Sequence, residues 1–216
     1  MQHSKIVGGS TAKRVIACPG SVALVDTVPP KPSSSYADEG TLLHDTIATI
    51  LERDLDPYSM VGTTYEKTVL TEALVDDKLI PALRALDEID PKGEMEYAVE
   101  SRVGFGDFLP DVFGSTDLLG RLGDRAVVLD WKFGDGVAVE VEENAQLLFY
   151  AAAAKRTADT AWAFKDAKEV ELIIVQPPYV KRWVTDLARV DAFEKELAAA
   201  VKIAMRPDAP LASGDH

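Results

Sequence analysis

Apolar residues in the first part of the chain recur at the spacing of amphipathic helices. Leu43, Ile47 and Leu51 fall on one face of a helix that is predicted over about residues 36–53. A similar pattern predicts a second amphipathic helix over about 71–90. The other expectations for this part are a frayed segment over 1–10, a short helix over about 10–26, a Pro- and Ser-rich loop over 28–35 and irregular chain over 54–68.

From about residue 93 onward, the pattern changes to shorter apolar runs that have the length of strands. Two of these runs flank the turn-forming pair Gly123-Asp124 and predict a β-hairpin. Strands are predicted over 94–103, 114–122, 125–133, 137–141 (short and exposed), 169–176 and 181–185, and helices over 142–157 and 187–205. Helices followed by strands, a helix and further strands indicate an α/β fold, in which helices flank a central sheet.

Length and composition favour one globular domain. The chain has 216 residues, of which 47% are apolar and 27% are charged, and this suits a single hydrophobic core. We therefore expect one domain over 1–216. Within it, residues 1–92 form a mainly helical N-terminal part and residues 93–205 form the α/β core.

The sequence lacks the patterns that mark membrane or secreted proteins. No stretch approaches the roughly 20 apolar residues of a membrane helix, and the polar residues 1–5 do not resemble a secretory signal. We therefore expect a cytoplasmic, intracellular protein with no membrane partner. The single cysteine, Cys18, excludes a disulfide within the chain.

The net charge of −13 disfavours tight nonspecific binding to duplex DNA. Such binding depends on lysine and arginine residues that neutralise phosphates. Basic residues nevertheless cluster at 13–14, 155–156 and 181–182. Because the net charge of a chain does not describe a local groove, its acidity leaves chemistry on nucleic acids open.

The most informative group of charged residues lies on the predicted hairpin. Asp117 and Asp130 stand thirteen residues apart on neighbouring strands, and Lys132 follows Asp130 by two positions. Residues i and i+2 of a strand point to the same face, so Lys132 stands beside Asp130. Two acids from adjacent strands can hold one hard divalent cation, and the lysine can then reach the attacking water. The plainer alternatives are a strand-edge acid and a surface lysine at the end of a strand.

The segment from Asp117 to Lys132 resembles the motif Asp-(13)-Asp-x-Lys of the PD-(D/E)XK nuclease superfamily. Three further segments resemble the RecB-like branch, which includes CRISPR-associated RecB-like exonucleases and an uncharacterised phage-linked nuclease family. They are a Cys-Pro entry at 17–21, a Gly-Thr-x-x-His helix at 39–44 and a Gln-x-x-x-Tyr helix at 143–150. A lone Asp-x-Lys recurs by chance on many strands, but four pieces in matching order over roughly residues 10–186 form a specific signal.

This resemblance implies a restriction-endonuclease-like core and a deoxyribonuclease that depends on Mg²⁺ or Mn²⁺. Asp117 and Asp130 are then the expected metal ligands, with Glu100 and His44 as further candidates. Lys132 is expected to orient or help deprotonate the nucleophile. The resemblance also implies exonuclease action on DNA ends or single-stranded DNA, in recombination, repair or phage DNA processing.

Gln146 and Tyr150 lie one helical turn apart and share a helix face. The resemblance implies that both border the active site and position the DNA strand, and Arg14 is a further candidate for a phosphate contact. Each candidate has a plainer alternative. Glu100 is also typical of a half-exposed strand, His44 of a packed helix, Gln146 and Tyr150 of a helix–sheet interface, and Arg14 of a solvated surface.

Cys18 bears on a possible cofactor. In iron–sulfur members of the RecB-like branch, one cysteine near the N-terminus joins three near the C-terminus to hold a 4Fe–4S cluster. The sequence contains no further cysteine, and one cysteine cannot hold the cluster, so we expect none in this chain. Cys18 is then a small buried apolar residue.

Two other classes of function stay open beside the nuclease. The strong acidity favours a catalytically silent nuclease fold that binds DNA or a protein, or an acidic module that mimics DNA. The complete set of acids, lysine and glutamine favours catalysis. The expected partners are DNA that is single-stranded or has ends, and a protein in a recombination or phage complex of a bacterial or phage-encoded system.

Overall fold

The computed structural model describes residues 4–29, 33–134 and 138–214. The first part contains helices α1 (Ala12–Ala17), α2 (Ser21–Asp26) and α3 (Ser35–Arg53), the short strands β1 (Thr64–Tyr65) and β2 (Thr68–Val69), and helices α4 (Glu72–Leu74) and α5 (Ile80–Ile89), joined by a π-helical turn (Val75–Leu79). The second part contains β3 (Glu96–Gly104), β4 (Phe113–Leu122), β5 (Arg125–Trp131), α6 (Ala145–Arg156), β6 (Glu169–Gln176), β7 (Tyr179–Thr185) and α7 (Leu187–Ala204).

Strands β3 to β7 form one mixed sheet in the order β3-β4-β5-β6-β7. Neighbouring strands are antiparallel except β5 and β6, which are parallel. A parallel pair needs a long connection that crosses over the sheet, and the segment that contains α6 supplies it. This mixed sheet, flanked by helices, confirms the predicted α/β class with a mixed central sheet.

The central strand β5 contributes to two hydrophobic cores, one on each face of the sheet. Ala126 and Val128 belong to the core beneath α6 and α7, whereas Val127 and Leu129 belong to the core beneath α3 and α5. This alternation follows from the two-residue period of a strand. Because Asp130 comes next on the even-numbered face, it points toward α6.

Helix α6 is buried along most of its length and begins at a defined residue. The Asn144 side chain accepts hydrogen bonds from the backbone N–H groups of Gln146 and Leu147, which otherwise lack helical partners. Residues 147–154 are buried on every side, as expected for a helix without a polar face. The cap therefore sets where Gln146 meets the sheet.

The helix predicted over 10–26 is divided, and this expectation is wrong in detail. A 3-10 turn (Gly9–Thr11) leads into α1, and the chain then breaks before α2. The backbone N–H of Gly20 donates to the carbonyl of Pro210, at 2.9 Å. A Cβ at Gly20 would lie 2.6 Å from the Ala209 carbonyl oxygen, so only glycine allows this approach of the C-terminal segment.

Other local expectations also change. Residues 4–10 are not frayed, since the Ser4 hydroxyl donates to the Asp111 carbonyl and Val7 is fully buried. The segment 54–68, expected to be irregular, contains β1 and the start of β2. Residues 138–141 form no strand, and residue 137 of that predicted strand lies outside the described residues, as do residues 1–3 and residues 30–32 of the Pro- and Ser-rich loop.

In the described part of the chain, no helix combines the length and apolarity that a bilayer crossing requires.

Candidate active site

The site lies where β4 and β5 separate. Their antiparallel ladder ends at the pair Leu118–Leu129, and the next two positions in that register are Asp117 and Asp130. The backbone N–H of Trp131 no longer bonds to the backbone of β4 and instead donates to a side chain of that strand, Asp117 Oδ2, at 2.7 Å. The fork between the strands thus brings two acidic residues together without a backbone ladder between them.

A hydrogen-bonded network links β5 to α6. Lys132 Nζ lies 2.7 Å from Asp130 Oδ2 and donates to Gln146 Oε1, at 2.9 Å. Gln146 Nε2 lies 3.0 Å from Asp130 Oδ1 and 3.1 Å from the Tyr150 hydroxyl. This network contains four of the five residues that were expected to be catalytic, Asp130, Lys132, Gln146 and Tyr150, and the fifth, Asp117, lies beside it at the fork.

Tyr150 also fits tightly against the N-terminal segment. A Cβ at Gly9 would lie 2.5 Å from the Tyr150 ring, and a Cβ at Gly114 would lie 3.2 Å from it. Glycine at both positions leaves room for the ring. Packing therefore orients the Tyr150 hydroxyl toward Gln146.

Three candidate metal ligands converge on the other side of Asp117. One ligand atom each of His44, Glu100 and Asp117 lies within 4.8 Å of the other two. His44 Nδ1 is 3.4 Å from Asp117 Oδ2, and the His44 ring meets the Phe133 ring edge to face, with centroids 5.2 Å apart. Helix α3 and strands β3 and β4 thus each contribute one donor atom.

Glu100 reaches this group through an unusual backbone conformation. It lies between the β3–β4 pairs Val99–Leu118 and Ser101–Thr116, which places it opposite Asp117. Its φ angle is +46°, in the left-handed region that side chains with a Cβ rarely adopt. Such strain persists where surrounding contacts hold it, and it clusters at functional sites.

The sequence analysis did not single out Ser115 or Phe133. Ser115 Oγ donates to Glu100 Oε2, at 3.3 Å, and Phe133 packs on the ring of His44. Ser115 precedes Asp117 by two residues on one strand, so the two-residue period was a signal that could have identified it. Phe133 follows the end of β5 and carried no comparable signal.

Burial raises the pKa of each acidic residue of the site. The pKa of Asp117 lies well above its usual value because of burial first and the negative charge of Asp130 second. Burial also raises the pKa of Asp130, although Lys132 opposes this shift, and burial raises the pKa of Glu100. The three raised pKa values together indicate that the one lysine of the site does not supply enough positive charge for three carboxylates.

The neighbouring His44 and Tyr150 stay uncharged at neutral pH. Burial, followed by the positive charge of Lys132, lowers the pKa of His44 to about 4. Burial, followed by the charge of Asp130, raises the pKa of the Tyr150 phenol. A neutral imidazole is the form that binds a metal ion.

These residues fit a divalent cation. A nitrogen atom and carboxylate oxygens form the mixed donor set that suits Mn²⁺ and similar ions. Asp130 Oδ2 is buried and accepts no well-oriented hydrogen bond from the described residues. Of the four expected ligands, His44, Glu100 and Asp117 form one group, whereas Asp130 is engaged by Lys132 and Gln146.

Arg14 is engaged away from this network. Its Nη1 donates to the Ser21 carbonyl at the start of α2, at 3.2 Å. Cys18 is buried, and the backbone N–H of Ala212 donates to its sulfur atom, at 3.2 Å. The structure therefore connects neither residue to the carboxylates.

Two of the three basic clusters of the sequence, at 155–156 and 181–182, pair with acidic partners. Lys155 pairs with Asp191, Arg156 with Glu194, Lys181 with Glu140 and Arg182 with Glu171. These pairs reduce the positive charge that the clusters present to a phosphate backbone.

Comparison with known proteins gives a family and distant structural similarities. The alkaline exonuclease LHK-Exo from Laribacter hongkongensis shares 11% identity over 94% of this chain and 89% of its own, with a TM-score of 0.43. The structure of LHK-Exo in complex with dAMP shares 12% identity over 77% of this chain and 90% of its own, with a TM-score of 0.37. Residues 3–216 match the family described as "Protein of unknown function (DUF2800)". Because this match spans nearly the whole chain, the chain belongs to the DUF2800 family.

Proposed function

We propose that this protein is a divalent-metal-dependent nuclease that hydrolyses phosphodiester bonds of DNA. The observation that carries the proposal is the convergence of His44, Glu100 and Asp117 beside the Asp130–Lys132 pair. Metal-assisted phosphodiester hydrolysis requires ligands for the cation and a positive charge near the phosphate. The neutral imidazole and the carboxylates, which have too few positive partners, supply the ligands, and the ammonium group of Lys132 supplies the positive charge.

The donors for the cation are His44, Glu100 and Asp117, and Asp130, whose carboxylate also holds Lys132, is a fourth candidate. When bound, such a cation lowers the pKa of a coordinated water and neutralises charge on the phosphate. Trp131 fixes the Asp117 carboxylate through its backbone N–H, and Ser115 fixes the Glu100 carboxylate through its hydroxyl group. The ligands are thus held in place before any substrate arrives.

Lys132 supplies the positive charge that stabilises the developing phosphorane. Asp130 and Gln146 hold its ammonium group from two directions, so that a remaining N–H can donate to a phosphate oxygen or to the attacking water. Tyr150 supports this arrangement through Gln146. Gln146 and Tyr150 therefore position Lys132, and the DNA strand lies above them.

The finer assignments follow from the resemblance to RecB-like nucleases. They are exonuclease action on DNA ends or single strands, Mg²⁺ or Mn²⁺ as the ion, and a place in recombination, repair or phage DNA processing in the cytoplasm. Arg14 as a phosphate contact and a protein partner in a recombination or phage complex belong to the same proposal.

A catalytically silent DNA- or protein-binding module is the second candidate. The pairing of Lys155, Arg156, Lys181 and Arg182 with acidic residues favours it. These two clusters then present less positive charge to a phosphate backbone, and the net charge of the chain is −13. In this case the carboxylate group would hold a cation that only stabilises the fold.

Incubation of purified protein with end-labelled single- and double-stranded DNA tests the proposal. Cleavage is expected with Mn²⁺ or Mg²⁺ and not with EDTA, and it should be lost in Lys132→Ala. Lys168→Ala is the matched control, because Lys168 pairs with Asp124 at the exposed β4–β5 turn. Equal rates for the wild type and Lys132→Ala would contradict the proposed site, and metal binding without cleavage would favour the silent module.

A further inference from the structure

An apolar pocket lies directly beside the Asp130–Lys132 pair. Its volume is about 310 Å³, and its lining residues are Ala138, Ile174, Gln176, Tyr179, Val180 and Lys181. This volume lies within the range of pockets that hold small organic groups, roughly 300–1,000 Å³. Nothing in the proposed chemistry of the carboxylates and Lys132 requires this space.

Strand register places the pocket next to the candidate catalytic residues. Ile174 on β6 is the cross-strand neighbour of Asp130. The backbone N–H of Lys132 donates to the Val175 carbonyl, so the parallel register continues and sets Gln176 beside Lys132. Neighbouring strands lie about 4.8 Å apart, and side chains at the same register position share a face. The pocket therefore begins one strand away from the reacting centre.

The walls of the pocket suit a flat aromatic group. Ile174 forms an apolar floor, and Tyr179, the cross-strand neighbour of Gln176, leaves 70% of its surface exposed. The Gln176 amide bonds to Val139 and Gly134, with Oε1 accepting from Val139 N and Nε2 donating to the Gly134 carbonyl. Its polar atoms are thus engaged away from a ligand, and the pocket presents mainly apolar atoms.

A cation stands at the rim of the pocket. Lys181 is the cross-strand neighbour of Ile174, and its ammonium group pairs with Glu140, whose side chain is 79% exposed. An ion pair with so exposed a partner contributes little to stability. The ammonium can therefore exchange this partner for a phosphate of a bound strand.

We propose that this pocket binds one unpaired nucleobase of the strand whose phosphodiester bond lies at the Asp130–Lys132 centre. The inference rests on the proposed nuclease function and names its substrate class, an unpaired nucleotide. The base stacks on Tyr179 above Ile174, and Lys181 faces the backbone. A base that is paired and stacked in a duplex must leave the helix before it can enter. Because stacking uses the π-face that all bases share, the pocket has little sequence preference.

The test measures whether the effect of Tyr179 on the cleavage rate depends on the presence of a base. The substrates are short single-stranded oligonucleotides that carry one abasic residue at each position in turn, with Mn²⁺ as the metal ion. The proteins are the wild type, Tyr179→Ala and Tyr179→Phe, with Tyr97→Ala as the matched control. Tyr97 is a partly exposed tyrosine on β3, at the opposite edge of the sheet. Circular dichroism melting verifies that the variants fold, which the exposure of Tyr179 favours.

Tyr179→Ala should cleave the intact strand about tenfold more slowly or worse, from the loss of one stacked base. Tyr179→Phe and Tyr97→Ala should match the wild type. One abasic position should slow the wild type by a similar factor and should not slow Tyr179→Ala further, as in a double-mutant cycle.

Two results would overturn the inference, and they are distinguishable. If the wild type and Tyr179→Ala cleave the intact strand equally fast, and no abasic position slows the wild type, the pocket holds no base while the nuclease function stands. If the wild type cleaves no DNA with either Mn²⁺ or Mg²⁺, the proposed function fails and the inference falls with it.

Discussion

Two buried acidic groups lie on the same sheet and differ in their positive partners. Glu171 on β6 is 1% exposed and accepts hydrogen bonds from Arg125, at 2.9 Å, and from Arg182, at 2.6 Å. Burial alone would raise the pKa of Glu171, but the two arginines outweigh it and the pKa lies below its usual value. Asp117, whose side chain is 12% exposed, lies beside Asp130 and Glu100, and its pKa lies well above its usual value.

This difference separates a structural acid from a candidate functional one. Burial is common to Glu171 and Asp117, so burial by itself identifies neither as functional. Around Glu171 two cations compensate one carboxylate, whereas around Asp117 one lysine faces three carboxylates. Strongly perturbed ionisable groups without sufficient compensation are typical of functional sites, and a bound cation would supply the missing charge.

The largest expected effect is on cleavage. Asp117→Asn keeps the shape of the side chain and an oxygen that can accept from Trp131, but it removes the charge that holds a cation. We expect the cleavage rate to fall by about 10³-fold or more, measured as initial rate on end-labelled single-stranded DNA at saturating Mn²⁺. Glu171→Gln is the matched acid-to-amide change and should retain wild-type rates below its melting temperature. Comparable losses of cleavage rate in both variants would contradict the assignment of different roles to Asp117 and Glu171.

The next effect concerns metal ions and stability. A ligand that binds only the folded state at a hundred times its dissociation constant stabilises by about 2.7 kcal/mol. Mn²⁺ should therefore raise the melting temperature of the wild type and of Glu171→Gln, measured by differential scanning calorimetry against EDTA. Asp117→Asn should show little or no rise. An equal rise in Asp117→Asn would place the cation elsewhere.

In the absence of metal, the same acid-to-amide change should have opposite effects at the two positions. A raised pKa means that the charged form of Asp117 destabilises the folded state at neutral pH, so Asp117→Asn should stabilise it by about 1 kcal/mol. A lowered pKa means that the charge of Glu171 stabilises the fold, so Glu171→Gln should cost about 2 kcal/mol. Urea unfolding in EDTA at pH 7 measures both, and changes of the same sign would contradict the comparison.

The smallest effect concerns pH and His44. Its pKa falls from 6.5 to about 4 on folding, so between these values the unfolded chain binds more protons than the folded one. The free energy of unfolding of metal-free wild type, relative to His44→Gln, should therefore rise by about 1–2 kcal/mol as pH increases from 5 to 6.5. Urea unfolding at intervals across this range measures the difference. A difference that does not vary with pH would mean that His44 is solvated and not part of the buried group.

The strands were predictable because local patterns define them. Alternating and continuous apolar runs, with Gly123-Asp124 between two of them, located β4, β5 and β6 to within about two residues. The break between α1 and α2 was not predictable, because it depends on the Gly20–Pro210 contact between distant segments. The direction of the Glu100 side chain was not predictable either, because no local sequence pattern indicates a φ angle of +46°.

The sequence could place Asp130 and Lys132 on one face but could not distinguish Asp130 from Glu171. Both are acids in apolar strands, and the rule that buried carboxylates need partners applies to both. Arg125 lies 46 residues from Glu171 along the chain, so only the assembled sheet reveals that Glu171 is compensated. The roles of the site residues are still predictions, and the variants above test them.

The position of Asp130 at the end of the central strand has a consequence for protein engineering. One residue inserted or deleted within β5 would turn every later side chain to the opposite face. Leu129 and Trp131 would then point toward α6, while Asp130 and Lys132 would enter the apolar layer under α3 and α5. Libraries built on this scaffold can therefore vary the length of the loop after β5, but not the length of β5 itself, without losing folding and chemistry in a single step.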